Sequence, residues 1–290
     1  MAAKPVVVGA DGSEESLLAV ERAAMEATRH GLPLRIVSAP ALVPRMRAYQ
    51  VSAATVADAL RGVSARALER AVARAEEVAP GLQITTDLLS GLPALGVASS
   101  GAGATMLVVG ARGAGGFAAM ILGPVSRYAA SRAACPVIVV RQATMAVHQE
   151  VVVGIGDPEN AGETLTFAFE EAAARHADLV AVHAWSWFPP ALPAPVDQDV
   201  THAPFHLEQL SDEPTALSLS AALDRWREKY PDVRVRHDVI HGHPARMLAN
   251  YSARADLVVI GRHGDPGIGS VQHALLDHAR GPVAIVPSSG

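Results

Sequence analysis

The stretch GARGAGGFAAMILGPVS, residues 110–126, sets glycines at the spacing Gly110-x2-Gly113-x9-Gly123 between an apolar run, MLVV, and a helical pattern, SRYAASRAA. Glycine lets a backbone come close to a ligand and turn successive N–H groups into one concavity. A helix that begins near Pro124 adds the positive end of its dipole, and the combination suits phosphate groups. Arg112 would contribute a mobile cation, and Ser126 a hydroxyl one residue into the helix. Neither common nucleotide motif accounts for the loop. No G-x4-G-K-[ST] occurs, which excludes a P-loop NTPase. The fragment GIGDPE opens like a dinucleotide fingerprint but lacks the third glycine.

The elements around the loop alternate short apolar runs with longer helical patterns. Pro5 to Ala10 is an unbroken apolar run, as expected of a strand buried on both faces. Ser13 suits an N-cap, with Glu14 and Glu15 in the first turn of a helix that Gly31 ends. LRIVSA at 34–39 reads as a second strand, residues 52–78 as a long helix stopped by Pro80-Gly81, and QITTDLL as a third strand. A short helix in LPALGVASSGA, the strand TMLVVGA, the glycine loop with its helix, and the strand CPVIVVR complete the unit. Strands joined through helices imply a parallel α/β sheet covered on both faces. In such a sheet ligands bind beyond the carboxyl ends of the strands, where the connections diverge, and the glycine loop lies at such an end.

The whole unit then recurs. VVVGADGS at 6–13 returns as VVVGIGDP at 151–158, and SGLPA at 90–94 as HGHPA at 241–245. LVVGARG at 107–113 returns as VVIGRHG at 258–264, and CPVIVVR at 135–141 as GPVAIVP at 281–287. Two domains follow, 1–141 and 150–290, with a linker at 142–149. The strands of the second are VVVGIG, DLVAVHAW, VRVRHDVI, DLVVIG and PVAIVP. Residues 186–214 are too proline-rich for regular structure and read as a surface excursion or lid.

Composition narrows the function classes. Half of the 290 residues are hydrophobic and the formal charge is −5, with both signs interspersed. The absence of a basic stripe argues against a nucleic-acid partner. One cysteine, Cys135, excludes an intrachain disulfide framework and a cysteine-rich metal site, and reads as a small buried hydrophobe. No long apolar segment or leader pattern is evident, so a cytoplasmic protein without membrane spans is expected. His237, His241 and His243, clustered around a strand end, read as an exposed loop rather than a metal site, Trp185 and Trp187 as packing beneath the proline-rich segment, and Glu69, Arg70, Arg74 and Glu76 as a solvated helix face.

VVVGADGSEESLLAVERAAMEA, GLPA, VVGARGAGGFAAMILGPVS and CPVIVVR together resemble the universal stress protein family in its tandem, two-domain form. The resemblance implies two flavodoxin-like (adenine nucleotide alpha hydrolase-like) α/β domains, each a five-stranded, mainly parallel sheet with helices on both faces. It implies ATP as ligand, with Mg2+ on the phosphates, and a stress-response regulator rather than a dedicated catalyst. Carried over residue by residue, Asp11, with Ala10 and Gly12 beside it, would lie near adenine and ribose, and Ala39 against adenine. Gly110, Arg112, Gly113, Gly123, Pro124, Val125 and Ser126 would surround the phosphates and ribose. The final strands, around Val137–Val140 and Val283–Val286, would pair the domains. A protein partner and a homodimer would be compatible with that role.

Two departures bear on this expectation. Pro124 stands where the family motif has Ser or Thr, which removes a hydroxyl and a backbone donor while fitting the first turn of a helix. In the second half only four residues separate Gly264 from Gly269, where nine separate Gly113 from Gly123. The missing five are most of the loop's reach, since an extended chain spans about 3.3–3.6 Å per residue. Aligning AMEA at 24–27 with FEEA at 169–172 puts Gly156 at the place of Asp11, with Asp157 one residue late. A weaker second site would comprise Asp157, Ala184, Gly261, Gly264, Gly269 and Ser270. Three functions stay open: an ATP-binding regulator, a pairing scaffold without nucleotide, and a slow ATPase.

Overall fold

The computed structural model describes residues 3–40, 53–113, 122–141, 147–185, 208–262 and 269–288. In the N-terminal half the chain runs β1 (Val6–Gly9), α1 (Glu14–His30), β2 (Leu34–Ser38), α2 (Ala53–Val78) and β3 (Ile84–Leu88). It continues through α3 (Pro93–Ser99), β4 (Met106–Gly110), α4 (Pro124–Arg132) and β5 (Val137–Val140). The C-terminal half repeats the order as β6 (Glu150–Gly154), α5 (Gly162–Arg175), β7 (Asp178–Trp185), α6 (Glu208–Lys229) and β8 (Val235–His241). Then follow α7 (Pro244–Tyr251), β9 (Leu257–Arg262), α8 (Ser270–His278) and β10 (Val283–Pro287).

All ten strands form one sheet in the order β3-β2-β1-β4-β5-β10-β9-β6-β7-β8. Neighbours are parallel within each half. The join is antiparallel, with Val137 opposite Ile285, Ile138 opposite Ala284 and Val139 opposite Val283. The final strands therefore do pair the halves. The apolar runs are buried on both faces because the strand period of two sends alternate side chains into separate cores. Val6 and Val8 face the core on the side of α1, α2, α5 and α6, whereas Val7 faces the core on the side of α3, α4, α7 and α8.

The helix ends follow their local chemistry. Ser13 caps α1 by accepting the N–H of Ser16, and Gly31 ends it at φ +62°. In the proline-rich segment, 186–207 and with it Trp187 lie outside the described residues, but α6 already begins at Glu208. The expected irregular stretch thus stops short of 214. Between Pro204 and Pro231 the one proline is Pro214, and good helix formers flank it (Glu208, Gln209, Leu210, Ala216, Leu217). Most of the expected linker, 142–146, also lies outside the described residues.

A buried ionic seam joins α1 to α5 on one side of the sheet. Glu26 and Glu171 occupy equivalent places in the two halves, and each reaches a base of the other. Arg175 Nη2 lies 2.5 Å from Glu26 Oε1, and His30 Nε2 lies 2.9 Å from Glu171 Oε1. Arg22 and Arg29 also bind Glu26, and Arg175 binds Glu171 within its own helix. Both carboxylates and Arg175 are almost wholly buried. Burial by itself would push the Glu26 carboxyl up, but Arg22, Arg175 and Arg29 overcome it and hold that group well below the usual range. The hydrogen bond to Glu171 raises the His30 imidazole above its ordinary value against the opposing effect of burial. Glu26, His30 and Glu171 are close enough to bracket a metal ion, but three guanidinium groups already fill the seam. On the opposite side of the sheet, Arg141 donates to Leu276 O at the end of α8. Arg262 Nη1 donates to Ala133 O at 3.0 Å at the end of α4.

Two solvated-face residues are in fact engaged. Arg74 pairs with Glu21 at 2.5 Å, and Arg70 donates to Gly12 O at 2.8 Å, so α2 is tied to α1 and to the loop after β1. His237 and His241 lie on the edge strand β8 and His243 stands at the N-cap position of α7, so the three surround a strand end, with His241 and His243 exposed.

Removing one partner of a buried ion pair leaves the others uncompensated, so Arg175→Met should lower the unfolding free energy by about 3–5 kcal/mol in chemical denaturation. The folded pKa of His30 is raised. Its contribution is therefore complete below the unfolded value of about 6.5 and is lost as pH rises through the folded value. The stability difference between wild type and His30→Gln should be largest near pH 6 and shrink toward pH 9. A difference that stays constant with pH would contradict the pairing.

Candidate functional site

The chain turns back at β1: its neighbours are β2 and β4, reached by connections on opposite faces. A crevice must open where the two carboxyl ends part. A cavity of about 490 Å³ lies there. Ala10 and Asp11 after β1, Ala39 after β2, and Gly110, Arg112 and Gly113 after β4 line it. Gly123, Pro124, Val125 and Ser126 close the side formed by the start of α4. Gly12 is the one residue of the expected first set that does not line it. Its φ of +81° turns the chain toward α1, and its carbonyl accepts from Arg70.

Each glycine of the spacing has a steric reason. A Cβ on Gly110 would lie 2.7 Å from the carbonyl oxygen of Glu15, so glycine is what lets the first turn of α1 sit over the end of β4. A Cβ on Gly113 would lie 2.4 Å from Asp11 Oδ2. That carboxylate is oriented from its other oxygen, which accepts from Ser13 N at 3.0 Å and Ser13 Oγ at 2.6 Å. Gly123 N donates to Ala111 O at 2.7 Å, which closes the loop at its base. Residues 114–121, the middle of the loop, lie outside the described residues.

The two polar side chains expected to serve a phosphate are already engaged. Arg112 Nη2 lies 2.8 Å from Glu15 Oε1, so the guanidinium is held against α1 rather than mobile. Ser126 Oγ lies 2.8 Å from Ala111 O and 3.1 Å from Gly123 O, and the side chain is buried. Ser126 thus ties the start of α4 to the end of β4. Among the described residues no side chain caps α4, whose N-cap is Gly123, so its first-turn N–H groups are left for the cavity, less the one that Pro124 lacks.

Sequence reasoning missed part of the wall. Leu92, Pro93, Ala94 and Val97 at the start of α3 line the cavity, as do Gly9, Val109 and the hydroxyl-bearing Ser16. The repeated SGLPA and HGHPA segments carried that signal, since Pro93 and Pro244 hold matching places beside the two cavities.

The C-terminal half forms a smaller cavity of about 380 Å³ at the ends of β6 and β9. Asp157, Ala184, Gly261, Gly269 and Ser270 line it, while Gly264 lies outside the described residues with the rest of 263–268. Ala10 N donates to Val37 O and Ile155 N to Val182 O, which sets Gly156 level with Asp11. Cys135 is buried, and burial pushes its thiol up to about 11.

Compared with known proteins, the chain matches the model of the universal stress protein family twice, over residues 2–141 and 148–287. A universal stress protein of Mycobacterium tuberculosis is 34% identical over 297 residues, covering 98% of this chain and 97% of that protein. One from Mycolicibacterium smegmatis is 33% identical over 298 residues, covering 97% and 96%. The crystal structure of a universal stress protein from Archaeoglobus fulgidus shares the fold, with a TM-score of 0.71 at 16% identity over 99% of this chain and 97% of the other.

The clash distances rank the glycines. Gly110→Ala meets rigid backbone at 2.7 Å, whereas Gly123→Ala meets Ala111 O at 3.3 Å. Overpacking of the first kind costs about 1–3 kcal/mol. Thermal unfolding should therefore show Gly110→Ala as clearly the more destabilised of the two.

Proposed function

Because the chain belongs to the universal stress protein family, we propose that its N-terminal cavity binds ATP and that the protein is a cytoplasmic stress-response regulator acting through a protein partner. The observation that carries this reading is the cavity itself, at the carboxyl ends of β1 and β4, with Gly110-x2-Gly113-x9-Gly123 along one side and the uncapped start of α4 facing in. Adenine fits the apolar end between Ala39, Val97 and Leu92. The ribose falls near Asp11, and the phosphates toward Gly113, Gly123 and Val125. An uncapped helix start favours anions through its free N–H groups and its dipole.

Mg2+ would ride on the phosphates. The described lining offers one carboxylate for it, Asp11, whose Oδ2 faces Gly113. Arg112 would screen phosphate charge from its fixed place beside Glu15. A slow ATPase finds no support in that arrangement, because the cation is tethered and phosphoryl transfer depends on charge positioned at the transferring group. The pairing-scaffold reading keeps one specific support: β5 and β10 join the halves through residues that line neither cavity.

Calorimetric titration of the nucleotide-stripped protein with Mg-ATP tests the reading. One site per chain is expected, lost in Gly113→Asp and in Ala39→Trp, both checked for folding by thermal unfolding. No binding up to millimolar ATP would leave the scaffold reading. Pro124→Ser restores a backbone donor and a hydroxyl. One hydrogen bond nets about 0.5–1.5 kcal/mol, so ATP should bind about 2–12-fold more tightly to that variant.

A further inference from the structure

The two cavities differ most at one corner. Ser126 and Gln272 hold the same place, each three residues beyond the glycine that precedes its helix. The short Ser126 side chain stays at the base of α4 and leaves the space between Gly110 and Pro124 open to the N-terminal cavity. Gln272 reaches further. Its Nε2 donates to Gly261 O at 2.9 Å, and its Oε1 lies so close to Gly269 that a Cβ there would be 2.2 Å away. The side chain is buried. Its amide therefore occupies the corner between the end of β9 and the first turn of α8.

Among the described residues α8, like α4, begins at a glycine without a side-chain cap, but the Gln272 amide oxygen, an acceptor, stands beside that start. Gly156 stands level with Asp11 and offers no side chain, and the direction of its missing Cβ is open. Asp157 turns onto its own loop, accepting from Glu159 N at 3.1 Å and from Asn160 Nδ2 at 2.6 Å. No Lys or Arg is among the described lining residues, and Ile155, Val182, Leu248 and Ile260 make most of the wall apolar. Among the described residues a phosphate placed here would find no cation to replace its water, which is costly. An uncharged ligand would not meet that cost, and about 380 Å³ is within the range of small-molecule sites.

We propose that the C-terminal cavity takes an uncharged, base-sized ligand, a nucleoside rather than a nucleotide, and that the Gln272 side chain excludes the phosphates. The choice of adenosine as probe rests on the ATP reading of the N-terminal cavity.

The test uses the full chain with Ala39→Trp, which closes the N-terminal cavity, titrated calorimetrically with adenosine and separately with ATP. Adenosine should bind one site per chain, ATP at least tenfold more weakly, and a second substitution, Ala184→Trp, should abolish adenosine binding. Adding Gln272→Ser instead should tighten ATP at least tenfold and change adenosine less than threefold. Equal affinity for ATP and adenosine with Gln272 intact would overturn the proposal, as would no adenosine binding, or Gln272→Ser leaving ATP unchanged. If Gln272→Ser does not fold, Gln272→Ala opens the same corner, and the adenosine-to-ATP ratio of the Gln272-intact protein decides without either. Failure of the N-terminal ATP reading shows separately, as no ATP site in the wild-type chain that Ala39→Trp removes.

Discussion

The antiparallel pairing of β5 with β10 is the contact on which the rest of the molecule depends. Each half would otherwise end in a bare apolar edge strand, a template for unwanted association. Joined, the two edges become the centre of a ten-stranded sheet. The pairing also decides what lies above and below it. On one side it brings α1 against α5, so that two carboxylates without access to water must find bases, and each finds one across the seam. On the other side, Arg141 and Arg262 each cross to the carbonyl end of a helix in the opposite half. A cation there answers both the unsatisfied carbonyls and the negative end of the dipole.

Much of this was legible in the sequence, for a physical reason. Val6–Val8, Val151–Val153 and Val137–Val140 are unbroken β-branched runs that only a doubly covered strand would use, and Ser13 and Gly31 mark the ends of α1 through local backbone chemistry. The ionic seam was not legible. Glu26 and Arg175 stand far apart in the chain, and nothing in the amphipathic pattern of either helix says that a charged residue will be buried against its counterpart. Arg74 shows the same limit: a charge on a long helix looks solvated until a neighbouring helix supplies its partner, here Glu21.

The candidate site shows how one residue type can answer two demands. The spacing of Gly110, Gly113 and Gly123 suggested phosphate from ligand chemistry alone. In the folded chain Gly110 is also fixed by the approach of Glu15, a packing demand no ligand need impose. Arg112 and Ser126 likewise have intramolecular partners that spacing could not disclose. Identity and spacing located the cavity; whether a polar side chain is free within it depended on α1 and β4 meeting in space.

Because β5 and β10 run in opposite directions, every strand of one half points against every strand of the other. The carboxyl ends that carry the two cavities therefore face opposite rims of the sheet. Two identical subunits joined this way would have to keep their rims alike, since any change in one gene would appear in both. A single chain is under no such obligation. His30 opposite Arg175, Ser126 opposite Gln272 and Asp11 opposite Gly156 are changes made once each, in a molecule whose symmetry is inherited by its backbone and no longer enforced on its side chains.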